Sequence, residues 1–418
     1  MESISIPKLV LLGPKRSGKS SIRHIVFERG NPNEAFLIEQ NTVPISRIYP
    51  FEGDPMQFEV IDCPGSTDYL EDLNSVLQTK DAEGNVISGL FSPSGASASG
   101  TGGAAAGGAT SGPGVGSNGG NSGASGSGVT PGAGAAGIGA SSATGAGSGA
   151  GAAAGAGSAT GLNAAGLIHE PLGLVLVLDA QDEENFRDAC ESFIATAVAA
   201  RKVAVDVSCS VLVHKMDADS GLADESRQDN LSQIRTMIHE GMQREGLPQV
   251  PVLATSIFDH TIFDALSRIL QRLLPHVSEL EKLLNNFLTS CSLNKAVIFD
   301  IFSKLYFASD RSPMDVHVYT LCTDLIEVVL DMSSIYDPRC RTDEEKVERV
   351  FAGMDQDAKS VIRLSNQFVL YFRHISHGLV LLCLLNKESY TQPGLMEQNF
   401  ATLRANILNV FGTASKNV

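Results

Sequence analysis

The sequence predicts an α/β protein in which a doubly wound sheet, split by a long insert, is followed by a small α+β domain. Three observations predict it. Short apolar runs alternate with longer helical patterns over residues 7–90 and 167–275, the arrangement of parallel strands joined by crossover helices. The first apolar run leads into a glycine-bracketed loop and then a helical stretch. From about His276 the texture changes to paired β-like runs flanked by helices. The expected division is residues 1–90 and 167–275 as one domain, 91–166 as an insert within it, and 276–418 as a second domain. A chain of 418 residues is long enough for each to bury its own core.

The expected strands of the first domain are Leu9–Leu12, Phe58–Ile61, Leu172–Leu178, Val207–Val213 and Val252–Thr255. They are almost continuously apolar, as central strands covered on both faces are. Helical patterns run over Ser20–Glu28, Glu184–Lys202 and Glu225–Glu245. Between Phe91 and Gly166 there is no charged residue, and Gly, Ala and Ser dominate. Such a stretch cannot bury enough apolar surface to offset its chain entropy, so disorder is expected there. In the second domain a helical segment, Glu279–Leu288, leads through Ala296–Ala308 to a helix-like Val316–Val329. The β-like runs Val361–Leu364, Gln367–Phe372 and Leu379–Leu385 follow, and the amphipathic Met396–Phe411 closes the chain. Short turns at Ser365-Asn366 and His377-Gly378 join these runs.

Composition narrows the function. A net charge of −16, from 47 acidic and 31 basic residues, argues against nucleic acid or an anionic membrane as partner. Seven scattered cysteines without a CxxC pair fit free thiols in a reducing compartment. The start, Met1-Glu2-Ser3, has no signal-peptide pattern, and no run is long enough to span a bilayer. Glu2 stands where myristoylation needs glycine, and Ser415-Lys416-Asn417-Val418 is no prenylation box. A soluble, cytoplasmic protein without direct membrane insertion is expected.

Four short motifs carry the chemistry. Gly13-Pro14-Lys15-Arg16-Ser17-Gly18-Lys19-Ser20 fits GxxxxGK[ST] between a strand and a helix, the context this phosphate-binding loop requires. Its backbone N–H groups and the helix N-terminus favour anionic phosphate. Lys19 is expected to reach the β- and γ-phosphates and the Ser20 hydroxyl to ligate Mg²⁺. Asp62-Cys63-Pro64-Gly65 ends a β-like run; there Asp62 can hold magnesium through its water shell, and the Gly65 N–H can meet a γ-phosphate. His214-Lys215-Met216-Asp217 follows the run Val207–Val213 and resembles an NKxD element with His in place of Asn. The Asp217 carboxylate can accept from two donors on the guanine edge, a pair adenine lacks, while the Lys215 stem lies over the base. Thr255-Ser256-Ile257 stands where a backbone N–H commonly meets the guanine oxygen. Cofactor contacts are thus expected from Gly13, Arg16, Ser17, Gly18, Lys19, Ser20, Ser21, Asp62, Gly65, His214, Lys215, Asp217, Ser256 and Ile257.

These residues resemble the Rag GTPases, and the RagC/RagD branch more than RagA/RagB. The likeness rests on Gly13–Ser21, Pro32-Asn33-Glu34, Asp62–Gly65, Leu178-Asp179-Ala180-Gln181-Asp182, the His214–Asp217 quartet and Thr255–His260. It continues through Val297–Asp300 and Lys304-Leu305-Tyr306. The resemblance implies a Ras-like P-loop GTPase domain and a roadblock-like dimerisation domain, binding GTP or GDP with Mg²⁺. It implies a heterodimer with a RagA/RagB-like subunit that signals amino-acid sufficiency to the TOR kinase complex. A membrane-tethered scaffold complex would hold that dimer at the vacuolar or lysosomal surface, and a GTPase-activating protein would assist hydrolysis. In the family a threonine of the first switch helps hold magnesium. Thr42 is the nearest candidate, with the Thr/Asn register open by one residue. Family members carry Gln after the DxPG glycine, where other GTPases orient attacking water, but here that residue is Ser66. The alternatives are a nucleotide-bound scaffold subunit with little or no hydrolysis, and a P-loop kinase or ATPase, which Asp217 argues against.

Overall fold

The computed structural model describes residues 6–49, 56–77, 168–217, 223–310, 312–336, 357–376 and 378–414. All belong to the compact unit formed by Met1–Ser92 and Ala159–Val418. The low-complexity stretch 91–166, expected to be disordered, lies outside the described residues.

The first sheet contains β1 (Lys8–Leu12), β2 (Ile45–Tyr49), β3 (Phe58–Asp62), β4 (Leu172–Asp179), β5 (Val207–His214) and β6 (Val252–Ala254). Its order is β2-β3-β1-β4-β5-β6, parallel except for β2, which pairs antiparallel with β3 at the edge. This is the Ras-like arrangement expected. Residues Leu172–Leu178 of β4 are buried throughout, because the central strands are covered on both faces. On one side lie α2 (Tyr69–Leu77), α3 (Phe186–Val203) and α4 (Asp224–Arg244), whose apolar residues form one cluster with Val10, Leu174 and Val211. On the other side lie α1 (Lys19–Ile22), continued by a π-helical turn (Arg23–Phe27), and α5 (Thr261–Leu273).

The second sheet contains β7 (Lys295–Asp300), β8 (Tyr306–Ser309), β9 (Lys359–Arg363), β10 (Phe368–Ser376) and β11 (Leu379–Asn386), in the order β8-β7-β11-β10-β9, antiparallel throughout. Helices α6 (Val277–Cys291) and α8 (Pro393–Ala414) cover one face. Helix α7 (Val316–Tyr336) covers the other, packing Tyr319, Cys322, Ile326 and Leu330 on Phe299, Phe372 and Leu382. This is the small, roadblock-like α+β fold expected.

The two sheets share a core. Helix α5 buries Ile262, Ala265, Leu266, Ile269, Leu270 and Leu273, at the i, i+3, i+4, i+7 spacing of one apolar stripe. That stripe belongs to a single cluster running from Leu9 and Phe58 of the first sheet to Phe307 of β8. The rings of Phe58 and Phe307 meet edge to face, 6.4 Å between centroids. Polar contacts repeat the junction: the Ser267 hydroxyl accepts from the Tyr306 N–H at 3.0 Å, and the Tyr306 hydroxyl donates to Asp264 at 2.5 Å. This shared cluster joins the two sheets, while each sheet keeps a further cluster of its own on its other face, so the cores expected from chain length are present but not separate.

Candidate functional site

The carboxyl ends of β1, β3, β4, β5 and β6 converge on a cavity of about 600 Å³, at the edge where open α/β sheets bind ligands. The loop after β1 forms its floor. Lys19 is buried, and its ammonium donates to the carbonyls of Gly13 and Pro14, both at 2.8 Å, and to Ser17 Oγ at 3.5 Å. Burial pulls its pKa down to about 8, opposed chiefly by the nearby Asp62. Arg16, Ser17, Gly18, Ser20 and Ser21 also line the cavity. Gly13 lies behind, as the carbonyl anchor of Lys19.

Gly18 adopts a φ of 103°, and a Cβ there would lie 2.5 Å from His214 Cδ2. His214 is buried, and its Nδ1 lies 3.0 Å from Thr255 Oγ1. Desolvation lowers its pKa to about 4, with Lys215 pushing the same way and Asp217 opposing. A neutral imidazole thus ties β5 to the phosphate loop and to the loop after β6. Lys215, at a φ of 61°, donates to the Arg16 carbonyl at 2.8 Å and to Asp179 Oδ2 at 2.5 Å. The lysine of the quartet therefore clamps the phosphate loop as well as bordering the cavity. Asp217 lines the cavity, and its Oδ1 accepts from the Ser256 hydroxyl at 2.9 Å. Ser256 stands behind Asp217 as its orienting donor, and its own N–H donates to Thr261 Oγ1 at 2.9 Å. Ile257 lines the cavity itself.

The second cluster gathers around Asp62. Its side chain is fully buried; Oδ2 accepts from Asn41 Nδ2 at 2.5 Å and from Arg23 Nε at 3.3 Å. Oδ1 is buried without a hydrogen-bond partner. Asn41 Nδ2 also reaches Ser20 Oγ at 3.3 Å and lines the cavity. Thr42 is exposed and lies outside the lining, so the residue beside Ser20 and Asp62 is Asn41, one position earlier than the expectation of Thr42. A hydroxyl, a buried carboxylate oxygen in need of a partner and a side-chain amide are hard oxygen donors or their supports, and they fit a hydrated Mg²⁺ that takes its remaining ligands from phosphate. Among the described residues no group of three or more His, Cys, Asp and Glu side chains could hold a metal.

Gly65 brings the DxPG segment onto the phosphate loop: a Cβ there would lie 2.5 Å from Lys15 Cα, so only glycine permits this approach. Ser66 is turned away. Its Oγ donates to Asp72 Oδ2 at 2.5 Å and to the Asp68 carbonyl at 3.2 Å, and it is not part of the lining. Sequence reasoning also passed over Phe36 and Phe258, two exposed rings on the lining that offer flat apolar surfaces to a base. Phe258 sat inside the quoted Thr255–His260 motif. Phe36 carried no signal beyond its place before the first switch.

The conserved-region model of the Gtr1/RagA G proteins matches residues 8–84 and 164–326, more than half of the chain. Ras-related GTP-binding protein D of Mus musculus is 28% identical over 414 residues, covering 99% of this chain and 70% of that protein. Ras-related GTP-binding protein C of Homo sapiens is 28% identical over 412 residues, 97% of this chain and 77% of that protein. GTP-binding protein gtr2 of Schizosaccharomyces pombe is 37% identical over 240 residues, 57% of this chain and 74% of that protein.

Proposed function

Because this chain belongs to the Gtr1/RagA G protein family and is RagC/RagD-like within it, we propose that the cavity holds GTP or GDP with Mg²⁺ and that the protein is the regulatory subunit of a Rag-type heterodimer. The observation that carries this is the Asp217 carboxylate on the cavity lining, fixed by the Ser256 hydroxyl, opposite a phosphate loop capped by Lys19. One end reads guanine and the other holds phosphate. Ser20 and Asp62 would hold the magnesium, with the Asn41 amide supporting both; the ion when bound offsets charge on the phosphates. Gly18, His214 and Thr255 keep the two ends in register.

The output proposed is nucleotide-dependent protein binding that relays amino-acid sufficiency to the TOR kinase complex. The partners proposed are a RagA/RagB-like subunit, a membrane-tethered scaffold at the vacuolar or lysosomal surface, and a GTPase-activating protein. Among the described residues no helix is long and apolar enough to cross a membrane, which supports recruitment through other proteins. One observation favours a second reading, a nucleotide-bound scaffold that scarcely hydrolyses GTP: the Ser66 hydroxyl is engaged by Asp72 away from the cavity. Competition of GTP, GDP and ATP against a fluorescent guanine analogue tests the site, and a preference for ATP would overturn it. Single-turnover hydrolysis, with and without an activating protein, separates the two readings.

A further inference from the structure

Asp62 enters the reading above as a magnesium site, but its buried partner Arg23 has been given no role. Arg23 opens the π-helical turn that follows the phosphate loop, a distortion often found at functional positions. Both side chains are buried, and Arg23 Nε donates to Asp62 Oδ2 at 3.3 Å. The guanidinium is clamped from its far side, where Nη1 donates to Glu28 Oε1. Glu28 is held in turn: Arg47 Nη1 of β2 pairs with the same oxygen at 3.0 Å, and His24 Nδ1 lies 2.9 Å from Oε2. The cation therefore has a fixed position, set by three residues outside the cavity lining. A guanidinium stays charged at any working pH, and a buried carboxylate is costly unless paired. Asp62 thus has a permanent positive partner on Oδ2 while Oδ1 is left over.

We propose that Arg23 is a built-in cation on Asp62: a positioning residue that shares this carboxylate with Mg²⁺ and makes nucleotide retention less dependent on the metal. The proposal rests on the assignment of the cavity to guanine nucleotide and magnesium. Two effects follow from charge alone. Repulsion between Arg23 and a divalent ion beside Asp62 weakens the metal. When metal is withdrawn, Arg23 keeps Asp62 neutralised, so the carboxylate does not face phosphate as an unbalanced charge.

The test uses the full chain loaded with fluorescent GDP, with release rates measured in excess Mg²⁺ and in excess EDTA. For the wild type, EDTA is expected to speed release by about tenfold or less. Arg23→Gln is expected to raise that ratio by about tenfold or more and to move the Mg²⁺ half-saturation point to lower concentration. Arg23→Lys, which keeps the charge, is expected to stay within about threefold of wild type. It carries the test if Arg23→Gln does not fold, as does the wild-type ratio itself, since a value above about a hundredfold would overturn the proposal. A ratio that Arg23→Gln leaves unchanged, in a chain that loads GDP normally, overturns the role of Arg23 alone. Failure to load any guanine nucleotide overturns the assignment of the cavity and the proposal with it.

Discussion

The imidazole of His214 closes on Gly18, where a Cβ would come within 2.5 Å of the ring. The residue before the phosphate-loop lysine and the first residue of the His214–Asp217 quartet are thereby packed together, joining two sides of the cavity. Gly18→Ala is expected to fail for two separable reasons. The left-handed backbone costs about 1–2 kcal/mol for any residue with a Cβ, and the clash displaces His214. Adding His214→Ala should relieve only the second, so the double variant should regain part of the lost nucleotide affinity and none of the backbone penalty. Calorimetric binding and thermal melts of the two variants check this; a freely tolerated Gly18→Ala would contradict the packing.

His214 also sets a pH dependence. Its folded-state pKa is lowered to about 4, chiefly by desolvation, from the ordinary histidine value of 6.5. The unfolded chain then binds a proton that the folded protein refuses. Stability is fully present above about pH 6.5 and is lost as pH falls toward 4, by roughly 3 kcal/mol for a group this buried. His214→Asn has no titrating ring, so its stability should fall less over that window. Thermal melts from pH 7.5 to pH 4.5 as order-of-magnitude bounds of the window compare the two; parallel profiles would show that the ring is not held neutral.

The phosphate loop, the DxPG segment and the His214–Asp217 quartet were legible because each is a local string at the end of a strand. β1, β3, β4 and β5 were legible for the same reason, being almost continuously apolar. β2 was not, since its residues Ile45–Tyr49 are an edge strand of mixed burial carrying Ser46 and Arg47, and edge strands lack the apolar run that marks a central one. The sharing of α5 between the sheets was illegible too, because periodicity reports a buried face and not what covers it. Asn41, Arg23 and Phe36 reach the site only through chain folding over tens of residues: Arg23 and Asp62 are 39 positions apart. Ser66 illustrates the opposite. The departure from Gln was visible in the string, while its bond to Asp72 was not.

That bond leads to an expectation for hydrolysis. Ser66 is short and committed to Asp72, whose pKa is raised mainly by desolvation, with the Ser66 bond opposing. Single-turnover hydrolysis without a partner is expected at or below the slow Ras-like rate of about 10⁻⁴ per second. Ser66→Ala should leave that rate unchanged, since the hydroxyl does not face the cavity. A wild-type rate well above this, lost in Ser66→Ala, would place the hydroxyl in the reaction.

The outer face of α7 is where the proposed partner subunit is expected to sit. Val328, Met332 and Ile335 follow one another at helical spacing and are 50%, 55% and 73% exposed, a contiguous apolar stripe of the kind that marks an interface. Edge strand β9 pairs with β10 alone among the described strands. Met332→Asp with Ile335→Asp should weaken pairing with a RagA/RagB-like subunit by about tenfold or more, with little change in the melting temperature of the free chain. The full chain is the right species, because truncation at residue 276 would strip α5 from a core shared with α6 and β8. Light scattering of the mixed subunits reads the outcome, and undiminished heterodimer would move the interface elsewhere.

The proposed base preference rests on Asp217. Its Oδ1 is fixed by the Ser256 hydroxyl and the side chain borders the cavity, so the carboxylate is presented in a set orientation. Guanine offers two donors to such a group, and charge-assisted bonds to a carboxylate are stronger than neutral ones. Asp217→Asn would set an amide donor against a guanine donor. It should weaken GTP and GDP by roughly 2–5 kcal/mol, the range for breaking a buried charged contact. It should also shift preference toward xanthine nucleotides, whose C2 carbonyl accepts from the new amide. Ser256→Ala removes the orienting donor and leaves the charge, so it should weaken GTP by a smaller amount, about 1 kcal/mol, without favouring XTP. Lys19→Ala touches only phosphate and should weaken GTP, ATP and XTP alike. Competition of the three triphosphates against a fluorescent analogue distinguishes these patterns. A base preference that survives Asp217→Asn would mean that guanine is read by the rest of the cavity, and that the quartet from His214 to Asp217 serves to hold the phosphate loop through Lys215 and Gly18.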